Sequence, residues 1–425
     1  MTTTATGPAS KLEAVKSAEA KLLLPTYERY PVLVSHARGV YLFDDTGRKY
    51  LDFLSGIGVN ALGHAHPAIR KALAAQAAKV LHVSNLFYHE HQAALAERLT
   101  RWSGLDRAFF CNSGTEAWEC ALKLARAYAQ FRCKKGKPAW RILAMEGSFH
   151  GRTMGALATT SGKKYRAPFE PLVPGVRFVR FNDVADLKRK FDSSVCAVAV
   201  EALQGEGGVN PISPEFIKAA RTLTGKAGAL LLCDEIQCGL GRTGLAFAFQ
   251  QYDVRPDVVT VAKPLACGLP LGAVLTTEAV AQAFHPGMHG TTFGGGPLAC
   301  AVAVAFLDTL AEQDLLRHVR ETGEYFKDRL SGLADKHNCV RNVRGAGLML
   351  GMELDTPERA KAVFKSLLEG GIVANRTHDV VLRFLPPYVI AKTHVDTLIK
   401  ALDASLASSS AEGESAPPAK ERKKR

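Results

Sequence analysis

Lys263 closes the run Asp257-Val-Val-Thr-Val-Ala-Lys263, and the chain continues Pro264-Leu-Ala-Cys-Gly-Leu-Pro-Leu-Gly272. A lysine placed where a β-branched run meets a Gly/Pro loop is badly placed to solvate its charge. Most lysines are surface charges, because an ammonium is almost never fully buried without a partner. Desolvation disfavours the charged form, lowers the pKa and makes the amine a nucleophile toward carbonyl carbons, the Schiff-base chemistry of lysine. Four other groups could serve such an amine. Asn112-Ser-Gly-Thr-Glu116 lies between the apolar Ala108-Phe-Phe-Cys111 and a helical pattern. Free backbone N–H groups at a helix N-terminus hold anions, although the same residues also read as an ordinary N-cap. Asp234 follows Ala229-Leu-Leu-Leu-Cys233, where a carboxylate is costly without a partner. A pyridinium nitrogen is one such partner and a structural salt bridge another, whereas metal binding lacks a histidine at ligand spacing. Gly147-Ser-Phe-His-Gly-Arg-Thr153 offers an aromatic face, a histidine and an arginine. Arg152 could fork onto a carboxylate or face solvent. Gly290-Thr-Thr-Phe-Gly-Gly-Gly-Pro297 combines hydroxyls with a backbone open to close approach by a phosphate, a pattern that also occurs in plain turns. Taken together, these parts match what pyridoxal 5′-phosphate requires of a protein.

The elements that must position them follow from periodicity. Arg141–Met145, Ser194–Val200, Ala229–Cys233 and Val258–Ala262 read as buried strands, with a helix over Pro214–Lys226 between two of them. Such alternation predicts an α/β layer with a mostly parallel sheet, and open sheets of this kind bind ligands at the carboxyl ends of their strands. Further helices are expected over Pro67–Leu81 (Ile69, Leu73, Ala77 and Val80 on one face) and Thr115–Ala129, and Leu298–Leu333 reads as largely helical. Gly39–Asp44 and Arg48–Phe53 around Asp45-Thr-Gly47 predict a β-hairpin. Short strands at Leu348–Glu353 and Val380–Phe384, mixed with helices, predict a smaller α+β domain. The division expected along the chain is a loose arm over 1–20, part of the small domain over 21–65, a large domain over 66–305, the rest of the small domain over 306–407 and a disordered basic tail over 408–425.

Composition narrows the class of protein. Hydrophobic content of 47% with 22% charged residues fits a soluble globular chain with a sizeable core. No run reaches the roughly 18 apolar residues of a membrane span, and the N-terminus lacks the apolar core of a secretory signal. The nine cysteines are scattered without a C-x-x-C pair, as expected for buried thiols in a reducing cytoplasm rather than a zinc site. The net charge of +13 raises the question of nucleic acid. Lysines and arginines are spread along the whole chain, however, and the one basic cluster, Lys420–Arg425, follows the Ser/Pro-rich 408–418. The excess charge could instead attract anionic substrates.

The chain resembles the class III, fold-type I pyridoxal-phosphate aminotransferases, most closely their acetylornithine/ornithine branch. The likeness runs from about Leu24 to Ala401 through Leu24-Pro-Thr-Tyr27, Leu51-Asp-Phe-Leu-Ser-Gly-Ile-Gly-Val-Asn60, Leu62-Gly-His-Ala-His-Pro67, Ser84-Asn-Leu-Phe-Tyr88 and Phe110-Cys-Asn-Ser-Gly-Thr-Glu-Ala117. It continues through Phe149-His-Gly-Arg-Thr153, Gln204-Gly-Glu-Gly-Gly208, Asp234-Glu-Ile-Gln237 and Gly290-Thr-Thr-Phe-Gly-Gly295. The resemblance implies that Lys263 carries the cofactor and shuttles the proton, Asp234 pairs with the pyridine nitrogen, Gln237 contacts the ring hydroxyl and Phe149 stacks on the ring. Ser113, Gly114 and Thr115 would hold the phosphate, helped by Thr292 from the partner subunit of a homodimer with shared sites. Arg152 would bind the α-carboxylate of an ornithine-type substrate. Glu206 would mask Arg383 until 2-oxoglutarate or glutamate arrives. The implied reaction is a ping-pong transfer of the distal amine of N2-acetyl-L-ornithine to 2-oxoglutarate, giving N-acetylglutamate 5-semialdehyde and glutamate, in the cytoplasm and as part of arginine biosynthesis. Ornithine, succinylornithine and 4-aminobutyrate are the rival donors, and a non-catalytic nucleic-acid-associated protein on the same scaffold is a distant alternative. Trp118, Ala202, Gly296, Pro264, Ala266 and Cys267 stand where the family usually has other residues.

Overall fold

The computed structural model describes residues 10–413. The expected cluster Lys420–Arg425 and the first nine residues lie outside them. At the centre is a seven-stranded sheet of β1 (Arg107–Cys111), β2 (Arg141–Met145), β3 (Val176–Val179), β4 (Val195–Glu201), β5 (Leu230–Asp234), β6 (Val258–Val261) and β7 (Gly272–Thr276). Its spatial order is β1-β7-β6-β5-β4-β2-β3. β3, β2, β4, β5 and β6 run parallel, while β7 pairs antiparallel with both β6 and β1. β4, β5, β6 and β7 are buried along their whole length, as expected of central strands covered on both faces. The four strands expected from the sequence are present to within a residue at each end; β1, β3 and β7 are additional. β1 and β3 are only partly buried, and β7 begins on a glycine at the end of a Gly/Pro loop, so none carries a full apolar run.

The helix Gly114–Arg132 starts directly after β1 and lies on the sheet, burying Ala117, Trp118, Cys120, Ala121, Leu122, Leu124 and Ala125. That spacing is the 3.6-residue stripe of a core-facing helix. Its N-terminus therefore sits at the same sheet edge as Asp234 and Lys263. Val340–Ala346, Met349–Leu354, Val381–Phe384 and Asn375–Thr377 form a separate antiparallel sheet. A further sheet joins Val34–Arg38, Tyr41–Asp44 and Lys49–Asp52 to Ile372–Val373, so both ends of the chain build the smaller part. The long helical region is two helices, Pro297–Glu312 and Leu315–Lys336.

Two terminal segments differ from expectation. The segment read as a loose arm is a helix from Lys11 to Leu22 with none of its residues buried. Its Ala, Lys, Glu and Leu residues are strong helix formers, and Ser10 Oγ caps it by accepting the Glu13 N–H at 3.3 Å. The last helix begins at Lys392 and runs to Gly413, into the segment read as a tail from 408, because no glycine or proline interrupts it earlier. All nine cysteines are free, with only Cys133 and Cys267 short of full burial. Among the described residues no helix is long and apolar enough to cross a membrane.

Candidate active site

A cavity of about 440 Å³ opens at the carboxyl edge of the central sheet. Ser113, Gly114, Thr115, Phe149, Arg152, Glu206, Asp234, Gln237 and Lys263 all line it. Arg383 is fully buried behind the wall and reaches the Glu206 and Gln237 side chains. Thr292 does not line this cavity within its own chain. It sits on the surface beside His82, Ser84 and Asn85.

Lys263 follows β6 by two residues and makes no side-chain hydrogen bond among the described residues, while bordering the cavity. Burial pulls its pKa below the ordinary lysine value; Glu206 opposes that and Arg383 reinforces it. A neutral amine is the form that attacks a carbonyl carbon. Across the floor, Asp234 ends β5, opposite Glu201 at the end of β4. Asp234 is 4% exposed. Its Oδ1 accepts the Ile236 N–H at 3.0 Å and its Oδ2 lies 2.7 Å from His150 Nδ1. These contacts leave lone-pair capacity on a buried carboxylate facing the cavity, the feature a protonated ring nitrogen needs. Glu201, by contrast, is pushed well above the ordinary range, first by burial and then by the neighbouring Asp234 charge. The two carboxyls stand side by side at the ends of neighbouring strands, and a like charge so close disfavours ionisation of Glu201.

The residues expected to form an anion cradle lie at the start of the Gly114–Arg132 helix. Ser113 is the N-cap, its Oγ accepting the Glu116 N–H at 3.2 Å. The N–H groups of Gly114 and Thr115 have no intrahelical acceptor, and the helix dipole adds positive potential there. Thr115 Oγ1 is 2.9 Å from Thr153 Oγ1. Gly272, the first residue of β7, passes directly beneath: a Cβ there would collide with the Ser113 carbonyl oxygen and come within 2.9 Å of Cys111 Sγ. Gly151, at φ +136, packs against the Thr115 side chain in the same way. The cradle is thus shaped by residues that carry no chemistry themselves.

Two arginines sit in contrasting settings. Arg383 Nη1 donates to Glu206 Oε1 at 2.6 Å and to Gln237 Oε1 at 3.0 Å, and Nη2 donates to Asn375 Oδ1 at 2.6 Å. Burial alone would raise the Glu206 pKa, but the charge and hydrogen bond of Arg383 outweigh it and hold the carboxyl below its ordinary value. Arg152 has no acceptor among the described residues; aromatic rings hold it instead.

Three residues of the site had no assigned role in the sequence. His150 is fully buried and orients Asp234. Trp118 stacks on His150, with ring centroids 3.9 Å apart and planes 8° from parallel, and is anchored by its Nε1–H to Thr159 Oγ1 at 2.8 Å. Glu201 is the third. His150 stood in plain view within Phe149-His-Gly-Arg, but its partner lies 84 residues away, and no local spacing reveals that pairing.

A buried lysine whose pKa is lowered, free N–H groups at a helix N-terminus and a buried carboxylate around one cavity fit the cofactor site of a fold-type I aminotransferase. The aminotransferase class-III family matches residues 24–406, and the chain belongs to that family. It is 46% identical over 385 residues to the acetylornithine aminotransferase of Methanocaldococcus jannaschii, covering 91% of this chain and 96% of that protein. It is 45% identical to the acetylornithine aminotransferase of Aquifex aeolicus, covering 89% and 98%. Among solved structures, the ornithine aminotransferase of Toxoplasma gondii superposes with a TM-score of 0.91 at 32% identity, covering 95% and 97% of the two chains. The N-acetylornithine aminotransferase of Stenotrophomonas maltophilia superposes with a TM-score of 0.80 at 35% identity, covering 93% and 99%.

Proposed function

We propose that this aminotransferase moves the distal amino group of N2-acetyl-L-ornithine to 2-oxoglutarate with pyridoxal 5′-phosphate as cofactor, giving N-acetylglutamate 5-semialdehyde and glutamate. The observation that carries the choice of substrate is the pair of unequal arginines, one open and one masked by Glu206. An amine donor with a single carboxylate far from its reacting amine needs one arginine. A dicarboxylic acceptor needs two, and only the second half-reaction calls on Arg383. The names of the relatives agree with this assignment.

The lining fits the cofactor. Ser113, Gly114 and Thr115 would take the phosphate, Phe149 would face the ring, and Asp234 would meet its nitrogen with His150 fixing the carboxylate. Gln237 reaches toward the same ring while accepting from Arg383. When bound, the cofactor supplies a carbonyl carbon for an amine and a ring that accepts electrons from a neighbouring C–H bond. Lys263 supplies the amine and then, released, takes the proton from the amine-bearing carbon. Burial, by lowering its pKa, favours the unprotonated form that this step needs. Arg152 binds the donor's carboxylate at the mouth and so turns the distal amine inward. Glu206 keeps Arg383 occupied during that step and yields it to the α-carboxylate of 2-oxoglutarate.

The same reading places the protein in the cytoplasm as a homodimer in which Thr292 of each copy completes the phosphate site of the other. Support comes from the exposed Leu86, Phe87, Tyr88 and Phe293 near Thr292, an apolar surface suited to a second copy. The test is a half-reaction screen. The holoenzyme is mixed with N2-acetylornithine, succinylornithine, ornithine or 4-aminobutyrate, and the decay of the cofactor's visible absorbance is followed. N2-Acetylornithine should give the highest kcat/KM. Ornithine or 4-aminobutyrate ahead by tenfold would overturn the assignment.

A further inference from the structure

Arg152 is unusual among the charged groups of the site in how it is held. Arg383 donates to three side-chain oxygens, and Asp234 is fixed by a histidine and a backbone N–H. The guanidinium of Arg152 is exposed, and among the described residues no carboxylate or carbonyl accepts from it. Its central carbon instead lies 4.2 Å from the centroid of the Tyr165 ring and 5.6 Å from that of Phe149. The two rings meet edge to face at 5.9 Å and 79°. A guanidinium held against aromatic rings, with no acceptor taken up among the described residues, keeps its N–H groups unspent, and these are what grip a carboxylate bidentately.

Tyr165 is itself placed with care. It belongs to the short turn Lys163–Arg166, and its N–H donates to the Gly162 carbonyl at 3.0 Å. A Cβ on residue 162 would lie 2.9 Å from Tyr165 Cδ2. Glycine at that position gives the ring room to lie where it does. Lys164 Nζ also approaches the ring, at 5.2 Å, so the ring's negative face serves two cations and Arg152 is the nearer. The two arginines are therefore prepared in opposite ways: Arg383 by a competing acid, which makes it conditional, and Arg152 by an aromatic platform that leaves it always available.

We propose that Tyr165 is the positioning residue for Arg152, and that by holding the guanidinium against its ring it sets the preference for amine donors that carry a distal carboxylate. The proposal rests on Arg152 being the carboxylate-binding arginine. Without the platform the long side chain would sample many rotamers and bind the carboxylate only after being ordered. A cation–ring contact at an exposed guanidinium is worth about 0.5–1 kcal/mol, which at tenfold per 1.4 kcal/mol is roughly a 2- to 5-fold loss in donor binding.

The test compares two donors that differ only in the group concerned, N2-acetylornithine and its decarboxylated counterpart N-acetyl-1,4-diaminobutane, on the wild-type holoenzyme and on Tyr165→Phe, Tyr165→Leu and Arg152→Ala. Tyr165→Leu should raise the KM for N2-acetylornithine about 2- to 5-fold with kcat unchanged, and leave kcat/KM for the decarboxylated donor unchanged. Tyr165→Phe keeps the ring and should behave as wild type. Arg152→Ala should abolish the preference for the carboxylate. If Arg152→Ala loses that preference while Tyr165→Leu keeps it, the proposal fails and the assignment of Arg152 stands. If neither variant loses it, both fail. Equal losses on the two donors in Tyr165→Leu would also overturn the proposal, because they would place Tyr165 behind Phe149 and the cofactor instead of behind Arg152.

Discussion

If Glu206 is the mask on Arg383, removing its charge should shift substrate choice by an amount the geometry sets. Glu206→Gln keeps the shape of the side chain and its capacity to accept one hydrogen bond. Arg383 would retain Gln237 Oε1 at 3.0 Å and Asn375 Oδ1 at 2.6 Å. What disappears is the ionic partner at 2.6 Å, which an incoming α-carboxylate must displace. A hydrogen bond to a charged group contributes about 1.5–3 kcal/mol net, so its loss favours a second carboxylate at Arg383 by roughly 10- to 150-fold. The donor with no carboxylate to place there gains nothing and instead meets an uncovered cation. The assay is the single-turnover half-reaction, comparing kcat/KM for glutamate with that for N2-acetylornithine. The ratio should rise at least tenfold in the variant. A thermal melt run alongside registers the cost of leaving a fully buried arginine without its acid, which for a broken buried pair is about 3–5 kcal/mol. The Glu206 side chain is 28% exposed, and the glutamine still accepts, so the cost should fall at or below the lower end. A ratio within twofold of wild type would refute the masking role, whatever the melt shows.

Two further outcomes follow from buried groups around the same sheet edge. Gly272→Ala should weaken cofactor retention at least tenfold, measured by equilibrium dialysis of the cofactor, because the new methyl collides with the Ser113 carbonyl oxygen at the base of the cradle; unchanged retention would mean that the cradle tolerates displacement. Glu235 accepts the Ala248 and Phe249 N–H groups at 2.8 Å each, and burial lifts its pKa from 4.5 to about 7. A carboxyl with a raised folded pKa adds stability that is complete below the unfolded value and is lost as pH climbs through the folded one. The wild type should therefore lose about 3 kcal/mol relative to Glu235→Gln between roughly pH 4.5 and 7. Melts across that range should show the two curves converging or crossing, and parallel curves would count against the assignment.

How much of this was legible in the sequence depended on whether the signal was local. Lys263, Asp234 and Ser113 each follow a short apolar run, and a polar group ending a buried strand is visible without any knowledge of its neighbours. The sheet edge then brought them to one cavity, as the alternation of strands and helices implied. What stayed hidden was pairing at a distance. The join of His150 to Asp234 spans 84 residues, Glu201 is pushed up by burial and by Asp234 on the strand beside it, and Trp118 stood out only as a residue differing from the family's usual one. Its stacking on His150 required the helix to be laid on the sheet. The terminal helices escaped for a different reason: polar composition suggested looseness, yet Lys11–Leu22 has the intrinsic preference to be helical without burying anything. Thr292 remains a residue whose expected role depends on a second copy of the chain.

The place of β7 in the sheet has a consequence for how the protein is made. The cradle follows β1 and the lysine follows β6, but these strands do not touch; β7, last of the seven in sequence, is inserted between them. Until the ribosome has released Gly272–Thr276, the phosphate site and its amine belong to two unjoined edges. If Ser113–Thr115 hold the phosphate and Lys263 the cofactor's carbonyl carbon, both halves of that site stand together only once β7 has paired. The visible absorbance of the bound cofactor would then report that the last strand is in place.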